Sequence, residues 1–425
     1  MSFTNIRKKF DLILIRKLIV ASIIISILSS FLAISLKHIT EYLEEIFFTR
    51  ASNNNIYMLL FPVIGLFLIH FMRQYIFKKK ENKGIKEIFE VIDTKNKNLP
   101  LYKIPAHFIN GLFTVALGGS TGIEVSTVIS SAAVGAIAIR KKNIFRNYKT
   151  EFICVGITAG ITILFSSPIA GILFSIEVIA KKTNKIFFLT NIIAISVASS
   201  ILLLLNEKSL LTVNISNWHI YAIPYFVLLG ILAGINSVYL TKTVLLLKNK
   251  FSKIRNENFK IILGASILSL SFCIFPQLYG EGYHAIKTIF ADHNPTVSIG
   301  YMISIFGILI LKPIATSVTL ASGGDGGVFA PSLFIGAFLG LLLATVLNTF
   351  FNVNVIPVNF MVIGMAAVLS ASIHAPFTAL FLVCGMINNY TLFVPILVVC
   401  LIAKYTSKLF FPYTVYTYSP LTYKS

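Results

Sequence analysis

The fold of this chain is decided by the stretch Gly118-Gly119-Ser120-Thr121-Gly122-Ile123-Glu124-Val125-Ser126. Its glycines predict an irregular turn, and the charge-free run Thr127 to Ile139 that follows predicts a helix. Such a turn directs the free N–H groups of a helix N-terminus at whatever lies in front of it. An acid at membrane depth costs about 2.5–3.5 kcal/mol on insertion scales and therefore indicates function. The alternative is that the glycines only allow close helix packing and that Glu124 only caps a helix.

A second copy of the turn favours the functional interpretation. It reads Gly323-Gly324-Asp325-Gly326-Gly327-Val328-Phe329-Ala330-Pro331 and is again followed by a charge-free run. Placing Gly119 on Gly324 puts Gly122 on Gly327 at the same shift of 205 residues, and Pro168 falls on Pro376 at a shift of 208. Two glycine-interrupted segments at matching places in two halves indicate the binding site of a transporter. In such folds the N-termini of half-helices, each carrying about half a positive charge, face an anion.

Composition places the chain among membrane proteins. Of its 425 residues, 56% are hydrophobic and only 12% are charged, and the mean hydropathy is +0.83. A membrane span needs roughly 20 apolar residues, so the sequence has room for ten or more segments. We expect an all-α, polytopic membrane protein that crosses the lipid bilayer as a single transmembrane domain. Its first repeat covers about 12–212 and its second about 220–420, with no soluble domain.

The formal charge of +20 does not indicate a nucleic-acid partner, because the basic residues lie in short runs between apolar segments. The positive-inside rule explains these runs, and some of them could instead attract anions to a pore mouth. The cysteines and histidines are scattered without metal-ligand spacing, so no metal and no cofactor is predicted. Neither Glu124 nor Glu177 has a catalytic partner in a recognisable motif, so we do not expect an enzyme.

Hydropathy gives a first division of the chain. Leu12 to Leu36 is predicted to span, and Lys37 to Asn55 to form an outer loop. A short amphipathic segment at 85–92 is too brief to cross the membrane. The remaining predictions bear on the second half: a segment from Ser298 to Leu311 before the second turn, an apolar run from Phe360 to Val383, and an aromatic tail from Tyr405 to Tyr423.

The glycine turns occur with three further motifs: Ser-Pro-Ile-Ala-Gly-Ile-Leu-Phe-Ser-Ile-Glu at 167–177, Gly-Val-Phe-Ala-Pro at 327–331 and Ala-Ser-Ile-His-Ala-Pro at 371–376. In this order they resemble the CLC family of chloride channels and chloride/proton antiporters. The resemblance implies an inverted repeat of tilted and re-entrant helices. It also implies a homodimer with one pore per subunit, chloride as the bound substrate, and, for a bacterial-type member, a location in the plasma membrane.

The resemblance also assigns residues. Glu124 corresponds to the gating glutamate, whose carboxylate competes with the anion for oriented N–H groups. Backbone amides at Val328 and Phe329 correspond to the central anion site, and those at Ile123 and Val125 to the outer one. Tyr416 fits the pore tyrosine best and Tyr413 second, although an interfacial aromatic is the alternative for Tyr416. The glycines that shape the two turns are Gly119, Gly122, Gly324 and Gly327.

Several positions depart from the family pattern. The family's Gly-Ser-Gly-Ile-Pro motif reads Asn82-Lys83-Gly84-Ile85-Lys86, so Lys83 replaces a serine and either attracts anions at the inner mouth or ends a solvated basic run. Ile123 stands where a basic residue is usual.

Val178 occupies the place of the inner proton-relay acid, which favours passive conduction over proton-coupled antiport. Glu177 lies about 100° round the helix from position 178 and is expected to be structural. In the second half, Gly385 stands where family members often have a glutamate. A secondary transporter of a larger anionic substrate is the alternative from another class.

Overall fold

The computed structural model describes residues 3–78, 84–94, 97–141, 143–180, 182–291 and 298–418, which form helices and no strand. We number the α-helices in chain order. The first half contains α1 (Phe3–Asn53), α2 (Asn55–Phe71), α3 (Ile85–Asp93), α4 (Lys103–Ala116), α5 (Glu124–Lys141), α6 (Lys149–Phe165), α7 (Pro168–Phe174) and α8 (Lys185–Leu204). The second half contains α9 (Ile223–Ser252), α10 (Glu257–Ile274), α11 (Tyr283–Ala291), α12 (Ile299–Ala321), α13 (Phe329–Phe351), α14 (Pro357–Ile373), α15 (Pro376–Ile387) and α16 (Phe393–Phe410).

The predicted repeat is visible in the order and the ends of the helices. The helices α4 to α8 match α12 to α16, and each glycine turn lies directly before a long apolar helix, α5 or α13. The helices α6 and α14 both end in a left-handed residue, Ser166 and His374. Each is followed two residues later by a proline that starts the next helix, because proline fits the first helical turn but cannot continue a helix.

Membrane-spanning helices dominate the described residues. Nine of their helices are long and apolar enough to cross a bilayer, and four shorter apolar helices complete the set. The helices around the glycine turns are the most enclosed: α6 and α13 are the most buried of the long apolar helices, α14 buries nearly every side chain, and α5 packs against α6. The chain is therefore a multi-pass integral membrane protein, as its composition predicts.

The predicted outer loop at Lys37 to Asn55 is wrong. Helix α1 continues without a break from Phe3 to Asn53, a length of about 75 Å at 1.5 Å per residue, which exceeds the thickness of a bilayer. This segment contains no proline or glycine, and Leu36, Thr40 and Ala51 are buried against neighbouring helices. Tertiary packing thus supports helix where the falling hydropathy suggested a loop.

Three other boundaries in the second half differ from the predictions. Helix α12 runs past Leu311 through Lys312 to the second turn, because Lys312 is buried and bonded to carbonyl groups. The run from Phe360 to Val383 is divided between α14 and α15 at His374. Helix α16 takes in the start of the aromatic tail and ends at Phe410. The amphipathic segment at 85–92 forms the short helix α3.

Candidate anion site between the two glycine turns

The two glycine turns lie side by side and are held by reciprocal hydrogen bonds. Ser120 N donates to Thr319 Oγ1 at 3.1 Å, and Asp325 N donates to Thr114 Oγ1 at 2.9 Å. Each threonine also donates its hydroxyl to the carbonyl four residues earlier in its own helix, α4 or α12. Because the partners in one bond match those in the other at a shift of 205 residues, the two turns are related by a local two-fold axis.

The closest approach of the turns is between Gly122 and Gly327, which form an antiparallel bridge. Thr121 Oγ1 donates to Gly327 O at 2.7 Å. A side chain at Gly122 would collide with the Glu124 carboxyl group and with Ala330, and one at Gly327 would collide with Val125. Only glycine permits this approach. It brings the first residues of α5 and α13 together in the protein interior, with the N-terminal dipole ends of both helices at one place.

Glu124 is the first residue of α5 and its side chain is buried, with 1% of its surface exposed. Tyr283 OH donates to Glu124 Oε1 at 3.0 Å. The carboxyl group also faces the backbone N–H groups of Glu124 itself and Ala330, at the starts of α5 and α13, while Oε2 makes no hydrogen bond of standard geometry. The carboxylate thus occupies a place between two helix N-termini that suits an anion.

The backbone amides predicted for the central site, those of Val328 and Phe329, lie beside Tyr416. Val328 N donates to Tyr416 OH at a long 3.4 Å, and the ring of Phe329 packs 6.3 Å from that of Tyr416. Tyr416 is 8% exposed, which does not fit an interfacial aromatic. Tyr413 instead packs against Phe411 and Tyr418. The structure therefore places Tyr416, and not Tyr413, beside the second turn.

A basic cavity of about 180 Å³ opens next to these amides. Two of its lining residues are lysines, Lys86 at the start of α3 and Lys248 near the end of α9. Lys86 Nζ donates to Tyr418 O at 2.8 Å, and burial lowers the pKa of Lys86. The other lining residues include Gly84, Val125, Gly327, Val328 and Tyr416. Sequence reasoning pointed to Lys83, which lies outside the described residues, and missed both Lys86 and Lys248.

On the opposite side of Glu124, a narrow crevice is lined by Lys37, Glu41, Glu281, Tyr283 and Glu124 itself. Glu281 Oε1 accepts a hydrogen bond from Ile123 N at 2.9 Å, so this predicted anion contact is already paired with a protein carboxylate. Lys312 is buried beneath, where its Nζ donates to Leu278 O and Gly280 O. The sequence analysis predicted neither Glu281 nor Lys312 as a site residue, although a lysine within an apolar segment is a recognised signal of function.

The structure gives Glu177 a helix-capping position. Its carboxylate accepts hydrogen bonds from Thr378 N and Thr378 Oγ1, both at 2.7 Å, at the start of α15. This is the usual role of an acid at a helix N-terminus. The neighbouring Val178 is partly buried and packs against the core. Gly385 lies against Ser167, where a larger side chain would collide.

The fold and the site define a multi-pass membrane protein in which two half-helices of an inverted repeat meet around an acid. Residues 64–408 match the family model described as "Voltage gated chloride channel", so the chain belongs to that CLC family of anion transporters and channels. An H(+)/Cl(-) exchange transporter ClcA from Vibrio cholerae is 28% identical over 352 residues, which cover 80% of this chain and 72% of the relative. A ClcA from Vibrio parahaemolyticus is 28% identical over 366 residues, covering 82% and 75%.

Solved structures agree with this fold. A CLC-type fluoride/proton antiporter superposes with a TM-score of 0.79 at 24% identity and covers 94% of this chain and 97% of its own. A slow cyanobacterial Cl-/H+ antiporter gives a TM-score of 0.80 at 21% identity, with 94% and 96% covered. At these identities the likeness establishes the fold alone.

Proposed function

We propose that the protein moves chloride, or a similar small inorganic anion, along a pathway between the two glycine turns that Glu124 gates. The position of Glu124 carries the proposal, because its buried side chain lines the narrow crevice while the next residue, Val125, lines the basic cavity. An ionised carboxylate and a chloride ion compete for the same N–H groups and for the same dipole ends. A proton or a competing anion that displaces the carboxylate opens the pathway.

The substitution Glu124→Gln tests this proposal in liposomes, with chloride and proton electrodes recording together. The neutral amide no longer competes as an anion, so chloride efflux should persist, rise at neutral pH and lose its coupling to protons. Glu177→Gln is the matched control, because Glu177 also caps a helix N-terminus but lines neither the basic cavity nor the narrow crevice. If Glu124→Gln keeps the rate and the pH profile of the parent protein, Glu124 is not the gate.

Two modes of transport fit this pathway. Val178, at the position of the relay acid, favours passive conduction. The named function of the Vibrio relatives, H(+)/Cl(-) exchange, favours proton-coupled antiport as the second candidate. The electrode assay separates them: outward chloride flow that drives protons uphill refutes passive conduction, and chloride flow without proton movement refutes exchange. The resemblance also implies a homodimer, which cross-linking in membranes would detect as a species of twice the mass.

A further inference from the structure

The turn Gly280-Glu281-Gly282 positions a second buried acid next to the gate. Gly280 and Gly282 have φ values of +58° and +89°, and a Cβ on either would collide with Glu44 or Phe334. Both positions therefore require glycine. Glu281 N donates to Glu44 Oε1 at 3.0 Å, which fixes the turn against α1. The result is that the side chain of Glu281, whose residue is 5% exposed, is directed at the start of α5.

The Glu281 carboxylate makes the contact that an anion would make there. Its Oε1 accepts from Ile123 N at 2.9 Å, immediately before the first residue of α5. A charged acceptor at a helix N-terminus gains both a charge-assisted hydrogen bond and the interaction with the helix dipole. While Glu281 is ionised, the same N–H group is less available to an anion that enters from the narrow crevice.

The charges around Glu281 favour binding of protons. Glu44, Glu281 and Glu124 all lie within electrostatic range of Lys312, whose Nζ bonds to the carbonyl groups of Leu278 and Gly280. A buried cluster with uncompensated negative charge is costly, and proton binding relieves that cost. Other titratable groups face the cluster from three elements: Lys37, Glu41 and Glu45 on α1, Tyr279 just before the turn, and Tyr283, His284 and Lys287 on α11. Lys37 is already paired with Glu207 at 3.2 Å.

Protons can reach this cluster from the solution. Glu44, Glu281 and Tyr283 line an open acidic cavity of about 510 Å³, together with Glu41 and Glu45. Tyr283 OH also bonds to Glu124 Oε1, so one phenol lies between the cavity and the gate. A proton that enters this cavity therefore meets Glu281 on the side of the protein from which Glu124, the proposed gate, is also approached.

We propose that Glu281 is a second acid that competes with the transported anion at the start of α5. Ionised Glu281 holds the Ile123 N–H group, and protonation of Glu281 weakens that bond and leaves the group to the anion. Anion binding is thus linked to two protonation events, one at Glu124 and one at Glu281. This inference rests on the proposed function, because it requires an anion at the N-terminus of α5.

Chloride binding measured by calorimetry tests the inference on the purified full-length protein. The comparison uses the parent, Glu124→Gln, Glu281→Gln and the double variant, each titrated with chloride from acidic to mildly alkaline pH. Glutamine at 281 retains an oxygen that can accept from Ile123 N but carries no charge. Glu281→Gln should tighten chloride binding at neutral pH by about tenfold, the scale of a partly buried charge at a helix N-terminus. Glu177→Gln should leave chloride binding as in the parent.

The pH dependence gives the decisive result. Glu124→Gln should still bind chloride more tightly at acidic pH, and only the double variant should bind it equally at all pH values. If Glu124→Gln binds chloride equally at all pH values, the inference is wrong, even if Glu281→Gln fails to fold. The proposed function still stands in that case. If the parent binds no chloride at any pH, both proposals are wrong.

Discussion

Lys248 shows how the surroundings of a residue decide what its charge does. In the sequence it begins a run of lysines that the positive-inside rule explains. In the structure its side chain lines the basic cavity beside Val328 and Tyr416, within electrostatic range of Asp325. A positive charge in a concave site raises the local concentration of anions. We therefore expect the same residue to contribute both to topology and to the proposed path of the anion.

We expect Lys248→Gln to lower chloride flux by about 3–10-fold at low ionic strength, with a smaller effect at high salt, because screening weakens the lost attraction. Lys250→Gln is the matched control: it lies two residues away on the same helix and is exposed like Lys248, but it is absent from the cavity lining. Initial efflux rates from liposomes at two salt concentrations give the comparison. Equal rates for both variants would return Lys248 to a purely topological role.

At the scale of helices, the site exists because α4 and α12 each support the turn that follows the other. The hydroxyl groups of Thr114 and Thr319 accept N–H groups across the local two-fold axis, and so align the starts of α5 and α13. A buried N–H group that loses its acceptor costs about 1–3 kcal/mol. The two crossed bonds are therefore strong constraints on the distance between the helix N-termini.

Thr114→Val and Thr319→Val should each lower the thermal midpoint of unfolding in detergent, and by similar amounts, because they remove equivalent acceptors without changing side-chain volume. Thr190→Val serves as the control, since its hydroxyl donates only to carbonyl groups of its own helix, Ile186 O and Phe187 O. A large loss for one turn variant together with no loss for the other would contradict the reciprocal arrangement.

The elements of the site differ in how far the sequence reveals them. The glycine turns are predictable because their local pattern occurs twice in the sequence, and Glu124 is predictable because it is a single acid within an apolar segment. Glu281 is not, because its role depends on a contact with Ile123, 158 positions away along the chain. Lys312 is an intermediate case: a charge in an apolar segment is visible, but its partners are not. The length of α1 was mispredicted since packing, not hydropathy, extends it.

At the scale of the whole molecule, the two sides of Glu124 carry opposite charge. Lysines line the basic cavity, whereas Glu41, Glu44, Glu45 and Glu281 line the acidic cavity. By the positive-inside rule, we expect the basic side to face the cytoplasm and the acidic side to face outward. Glu124 and Glu281 both line the narrow crevice on the acidic side. Under the proposed function, we therefore expect the protons that neutralise these acids to arrive from the outer solution.

Chloride flux should accordingly rise when the outer pH falls and respond much less to the inner pH. Tracer exchange of chloride across liposomes measures this once a single orientation remains active. Lys86→Cys provides the means, because a membrane-impermeant anionic thiol reagent added outside blocks only molecules whose basic cavity faces outward. The parent protein with the same reagent is the control, since Cys154, Cys384 and Cys400 are buried and Cys273 lies outside the basic cavity. A flux that follows inner pH as steeply as outer pH would show that protons reach the gate through the basic cavity, contrary to the arrangement of charges on the two sides of Glu124.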